Sequence, residues 1–194
     1  QSLGAAPAVL AAETATGVTR YVNHSGSDET QTGGTSSETA FATVAAAVEA
    51  SSDGDVILIE SSAEPYTVPS NIVISAGITI KGQSGNPEDV VVCRPATAAS
   101  KYRVFTFDNS GAILQDITIA GGDVDSVSGG GVYFTSLGGT MEHCIVSGCS
   151  VGAYNQGGGV YIDRNSSALM NRCVISNCTN SGVNGQGGGS ALMM

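Results

Sequence analysis

Three residues of the kind that move protons and hold anions recur at nearly constant spacing: Asp116, His143 and Arg172, 27 and then 29 residues apart. A motif follows each of them: Ile117-Thr118-Ile119, Cys144-Ile145-Val146-Ser147 and Cys173-Val174-Ile175-Ser176. If the three side chains stack in a column, His143 is placed as a base and Arg172 as a cation that neutralises a uronate carboxylate. Polysaccharide β-elimination needs both. The plainer reading of the column is a solvated turn whose charges pair. Tyr133 and Tyr161 are likewise equivalent, and alternation with Val132/Phe134 and Val160/Ile162 points them outward, as a carbohydrate-binding pair or as ordinary cross-strand packing. Asp123 and Asp125 share one loop, while Asp108 and Asp163 share another loop position. Carboxylate clusters of this sort can hold calcium, although the regular Gly-Asp nonapeptide of calcium-loaded β-rolls is missing. Solvated loops are the favoured reading, and no cofactor is expected.

The elements that position these residues follow from the repeat. Triple glycines recur at Gly129-Gly130-Gly131, Gly157-Gly158-Gly159 and Gly187-Gly188-Gly189, and the clear repeats span residues 112–192. Apolar runs of three to five residues, rich in Val, Ile and Tyr, are strands rather than helices. Three short strands per unit, with variable loops between them, predict an all-β fold: a right-handed parallel β-helix solenoid whose coils stack because no unit buries its apolar face alone. The inward columns are then Leu114, Met141, Met170; Ile117, Cys144, Cys173; and Ile119, Val146, Ile175. Glycine is required where the coil turns with φ > 0 or where another strand comes too close for a Cβ.

Before the repeats, Phe41, Val44, Ala45 and Val48 fall at helical spacing. They predict one amphipathic α-helix over about residues 40–51, with Ser37 or Thr39 as N-cap and Gly54 past its end. It serves as an N-terminal cap over the open first coil. Residues 1–19 read as an extended lead-in, in which Leu3 to Ala12 look like a trimmed or incomplete secretory leader without its basic front. Residues 20–194 then form a single β-helix domain of four or five coils. The sequence stops inside the strand after the third glycine block, so the last coil is incomplete. Further coils, or end-to-end stacking with another copy into a fibre, are expected to cover it.

Composition sorts the partners. A net charge of −10 with 7 basic residues argues against nucleic acid, and no apolar run is long enough to span a bilayer. Five cysteines fit no compact zinc pattern. Cys144 over Cys173 reads as reduced, buried stacking, because parallel Cβ vectors strain a bridge. Cys149 and Cys178, in the freer turn after the strand, are the disulfide candidates in an oxidising setting. Asn23, Asn165 and Asn177 begin N-glycosylation sequons.

The order Tyr21-Val22-Asn23, the small-residue helix, Asp53-Gly54-Asp55-Val56-Ile57-Leu58-Ile59 and Gly77-Ile78-Thr79-Ile80-Lys81-Gly82 resembles the opening of pectin-lyase-like β-helix proteins, alginate-lyase and chondroitinase types among them. The Gly-Gly-Gly-Val-Tyr blocks alternating with Cys-Val-Ile-Ser-Asn-Cys are similar to repeats of polymorphic outer-membrane and anchored surface proteins. The resemblance implies a fold and leaves the activity divided between adhesins and enzymes. The leading expectation is a secreted or cell-surface structural or adhesive module, with a polysaccharide or another copy of itself as partner. The rival is the N-terminal part of a polysaccharide lyase or hydrolase acting on acidic polysaccharide.

Overall fold

The computed structural model describes residues 17–29, 33–180 and 183–185, the last three by backbone alone. After an entry strand β1 (Thr19–Val22), the chain winds through about four coils. The first coil carries β2 (Val56–Ile59), β3 (Tyr66–Thr67) and β4 (Ile72–Ile74), and the second β5 (Thr79–Gly82), β6 (Val91–Cys93) and β7 (Phe105–Phe107). In the third come β8 (Ile113–Gln115), β9 (Thr118–Ala120), β10 (Asp123–Val124) and β11 (Val132–Phe134). The fourth repeats that order as β12 (Thr140–Glu142), β13 (Ile145–Ser147), β14 (Ser150–Val151) and β15 (Val160–Ile162). Finally β16 (Leu169–Asn171), β17 (Val174–Ser176) and β18 (Val183–Gly185) begin a fifth.

Every strand pairs in parallel with its counterpart one coil away, which gives three long sheets: β1-β2-β5-β8-β12-β16, β3-β6-β9-β13-β17 and β4-β7-β11-β15-β18. A fourth ladder, β10-β14, has two residues per strand and was not legible as a strand in the sequence. The in-register ladder is what turns a linear repeat into columns: Leu114 lies on Met141 and Met141 on Met170, and Ile119 on Val146 and Val146 on Ile175. Leu114, Met141, Met170, Ile117, Ile119 and Val146 are fully buried. Alternating side chains point out, as a pleated strand with one buried face requires. Aromatic layers join the same interior, where the rings of Phe107 and Phe134 stack at 4.3 Å.

The capping helix α1 (Val44–Glu49) is shorter than the 40–51 expected. Phe41 belongs instead to a bridge beside Val22: its N–H donates to the Tyr21 carbonyl (2.8 Å) and its carbonyl accepts from Asn23 (3.0 Å). That extended backbone delays helix entry until Thr43, which replaces Ser37 and Thr39 as N-cap by accepting from Ala46 N–H. The 3-10 turn Ser37–Thr39 takes up the earlier part of the pattern. Through Val44 and Ala47 the helix joins the core, and it packs on β1, β2 and β4.

Two boundaries also move. The first strand begins at Thr19, inside the expected lead-in, held by Arg20, whose guanidinium pairs with Asp55 at 3.1 Å. At the other end, Val183–Gly185 takes the place beside β15 that the repeat assigned to Ser190-Ala191-Leu192. The third glycine block, the open C-terminal end and the leader-like segment lie outside the described residues. No helix among the described residues is long and apolar enough to cross a membrane.

Candidate functional site

Asp116, His143 and Arg172 do share one structural position. Each sits in the left-handed region, with φ of 54°, 50° and 51°, at the sharp bend between the first and second sheets. Asp and His tolerate that conformation better than branched residues do, while Arg172 keeps it without that advantage. One coil earlier the position is Gly82, where a Cβ would fall 2.1 Å from the Asp116 carbonyl.

The column nevertheless divides into two pairs. Asp116 is buried, and its Oδ1 meets His143 Nδ1 at 2.8 Å. Lys81 Nζ lies 3.7 Å from the other oxygen. A desolvated carboxylate needs such partners, and this one fixes the imidazole so that Nε2 faces away from it. Arg172 turns elsewhere, to Glu142 Oε1 at 2.9 Å, with Asn171 donating to the same oxygen at 3.4 Å. The expected base and its expected cation are therefore not aimed at one point. Lys81 and Glu142, which the sequence reading passed over, belong to the adjacent outward column Lys81, Gln115, Glu142, Asn171. Their signal was the register itself, one residue before each bend.

The second cluster is more convergent. Tyr133 and Tyr161 are cross-strand partners whose rings stack at 5.8 Å and 27°. The Arg103 guanidinium lies 4.7 Å from the Tyr133 ring centroid, and one of its N–H groups donates to the Ser128 carbonyl at 3.0 Å. Burial pulls the Arg103 pKa below its ordinary value. On the other side, the Tyr133 hydroxyl donates to Asp163 Oδ2 at 2.9 Å, and burial followed by this carboxylate pushes the phenol pKa up. Arg103, Ser128, Tyr133, Asn155, Tyr161 and Asp163 line a cleft of about 480 Å³. Tyr133 is engaged by both the Tyr161 ring and the Arg103 guanidinium, so the cleft combines aromatic rings with polar groups. Arg103 immediately precedes a buried strand start, and nothing in the sequence distinguished it from an ordinary flanking charge.

The remaining candidates have local explanations. Lys101 Nζ sits between Asp123 (3.1 Å) and Asp125 (2.7 Å), where a bound cation would lie. Burial raises the Asp123 carboxyl, but the Ser150 hydroxyl and Lys101 outweigh it and hold the group below its usual range. Asp108 accepts from the Thr135 hydroxyl at 3.0 Å. Among the described residues no group of three or more His, Cys, Asp or Glu side chains is placed to hold a metal ion. Asn23 spends its amide on the Ser37 carbonyl at 3.0 Å, whereas Asn165 and Asn177 are exposed at left-handed bends. All five cysteines are thiols, and Cys149, expected in a free turn, points into the core and is 1% exposed.

No protein family, curated protein or solved structure matches this chain. What stands, from the geometry alone, is an all-parallel β-solenoid with one short α-helix among the described residues.

Proposed function

We propose that the protein is a non-catalytic, secreted or cell-surface module, a stiff solenoid that presents the Tyr133–Tyr161 cleft to a polysaccharide. The observation that carries this reading is the convergence of Arg103, both tyrosines, Asn155 and Asp163 on one outward cleft. Saccharide hydroxyls are recognised by fixed donors and acceptors beside aromatic rings, and here β11 and β15 hold the two tyrosines in register while the segments next to the strands of the second and fourth coils supply Arg103, Asn155 and Asp163. The split of the bend column supports the same reading from the other side, since elimination requires base and cation to act on one sugar ring. Binding of neutral and acidic oligosaccharides, measured by calorimetry on the intact chain, tests the proposal. At least one should bind saturably, and Tyr161→Ala together with Arg103→Ala should each weaken it about tenfold or more, the loss of roughly 1.4 kcal/mol. Absence of binding to every member of the panel would overturn it.

One observation favours a second reading, the N-terminal part of a polysaccharide lyase or hydrolase: the hydrogen bond that His143 Nδ1 makes to the buried Asp116 carboxylate orients the imidazole as a base would be oriented. That reading requires unsaturated product from alginate, pectate or chondroitin, lost in His143→Ala.

A further inference from the structure

Four cysteines occupy two equivalent places in the last coils. Each follows a residue in the left-handed region: His143 before Cys144, Gly148 before Cys149, Arg172 before Cys173 and Asn177 before Cys178. They bracket β13 and β17 at both ends. The register Ile145 on Val174 and Ser147 on Ser176 then sets Cys144 against Cys173 and Cys149 against Cys178. Cys144 and Cys149 are 1% exposed, and their partners are half-buried. The thiols donate to backbone carbonyls near them, Cys144 to Glu142 (3.3 Å), Cys149 to Ser147 (3.4 Å), Cys173 to Asn171 (3.3 Å) and Cys178 to Ser176 (3.2 Å).

Neighbouring parallel strands are separated by about 4.8 Å, inside the range of Cα separations that disulfides span. The obstacle is the parallel setting of the two Cβ vectors. None of the four cysteines belongs to a named strand, yet inter-coil bonds continue across them, from Val174 N–H to the Cys144 carbonyl (2.9 Å) and from Thr179 N–H to the Cys149 carbonyl (3.0 Å). Closure therefore comes from side-chain rotation at each thiol with a small shift of the bend residue before it. We propose that Cys144–Cys173 and Cys149–Cys178 are two cross-coil disulfide sites that bolt the fourth coil to the fifth. The oxidant is a disulfide, either of a small thiol such as glutathione or of an oxidoreductase. The half-buried thiolate attacks the oxidant and releases one thiol from it. The buried partner then loses its proton and displaces the second thiol, so that two protein thiols and one oxidant disulfide become one protein disulfide and two free thiols. Asymmetry within each pair suits this order: Cys173 and Cys178 are the more exposed members, and the neighbouring sulfur lowers their thiols below the ordinary value, whereas that sulfur and burial push Cys144 and Cys149 up. Cys93 has Ala120 and then Ser147 in its column, so it meets no second sulfur there.

The test uses the intact, folded, reduced chain in a mixture of oxidised and reduced glutathione, quenched in acid, unfolded, alkylated and weighed. The expected result is one alkylated thiol, Cys93, and the loss of two hydrogens for each of two bonds. More than one alkylated thiol at equilibrium overturns the proposal, and this count requires no variant. Cys149→Ser with Cys178→Ser should close one bond, as should Cys144→Ser with Cys173→Ser. The mismatched Cys144→Ser with Cys178→Ser should close none, and its closing as fast as the matched pairs would overturn the pairing. Because no saccharide is present, failure here is separate from failure of the binding proposal.

Discussion

Gly130 and Gly148 both sit near bends, yet a side chain would harm them for different reasons. A Cβ on Gly130 falls 2.3 Å from the Gly158 carbonyl oxygen and 2.4 Å from that of Ser150, both backbone atoms of a neighbouring coil. Gly148 has nothing within 4 Å but lies at φ 61°. Gly130→Ala should therefore cost about 3 kcal/mol through forced separation of strands, and Gly148→Ala about 1 kcal/mol through backbone conformation alone. Urea unfolding of the two variants measures the difference, and equal losses would refute the distinction. Asp55 illustrates a charge at the same scale. Burial alone would raise its carboxyl, but bonds from Val18 N–H (2.6 Å), Ser52 N–H (3.0 Å) and Arg20 hold it below its usual range. A carboxyl lowered by folding stabilises fully above its unfolded pKa, and that contribution fades as pH falls through the folded value. Asp55→Asn should thus cost about 2 kcal/mol at neutral pH and much less once acid has protonated the wild-type group, which a comparison of melting curves across pH would show.

At the level of the element, strand positions were legible because apolar residues alternate and because copies 27 to 30 residues apart can be laid over one another. Ile119 is the sharpest case: read as inward, it is fully buried in β9. Ile119→Asp would place an unpaired carboxylate there, at a cost of several kcal/mol, and an unchanged melting curve would contradict the column. The helix was less legible, since Phe41 matches the helical period while its backbone pairs with β1 and the sequence carries no mark of that pairing. Thr43→Ala should remove the actual cap at about 1 kcal/mol, whereas Thr39→Ala should leave α1 intact. The candidate sites divide in the same way. Register predicted which residues share a column, but which partner a long side chain chooses, Glu142 for Arg172 or the Tyr133 face for Arg103, depends on the outward residues of a second column.

For the whole molecule, the equivalence of Asp116 and His143 has a direct test. Removing residues 117–143 joins Asp116 to Cys144, keeps a left-handed bend before an inward residue, and takes out one full circuit. The shortened chain should retain its β-sheet circular dichroism per residue and unfold cooperatively, because each coil touches mainly its neighbours. Removing 131–143 alone breaks the circuit and should abolish folding; a folded product of that deletion would contradict the coil boundaries.

The regular ladder also sets how the protein answers a pull. Val132 pairs with Phe105, 27 residues earlier, yet the two stand about 4.8 Å apart along the axis. Drawn out straight, such a loop spans about 90 Å. A tether made of these coils is short and unyielding at rest, and each coil that peels away under load lengthens it roughly twentyfold over that coil's folded height, spending the applied work one circuit at a time instead of passing it whole to whatever the tether holds.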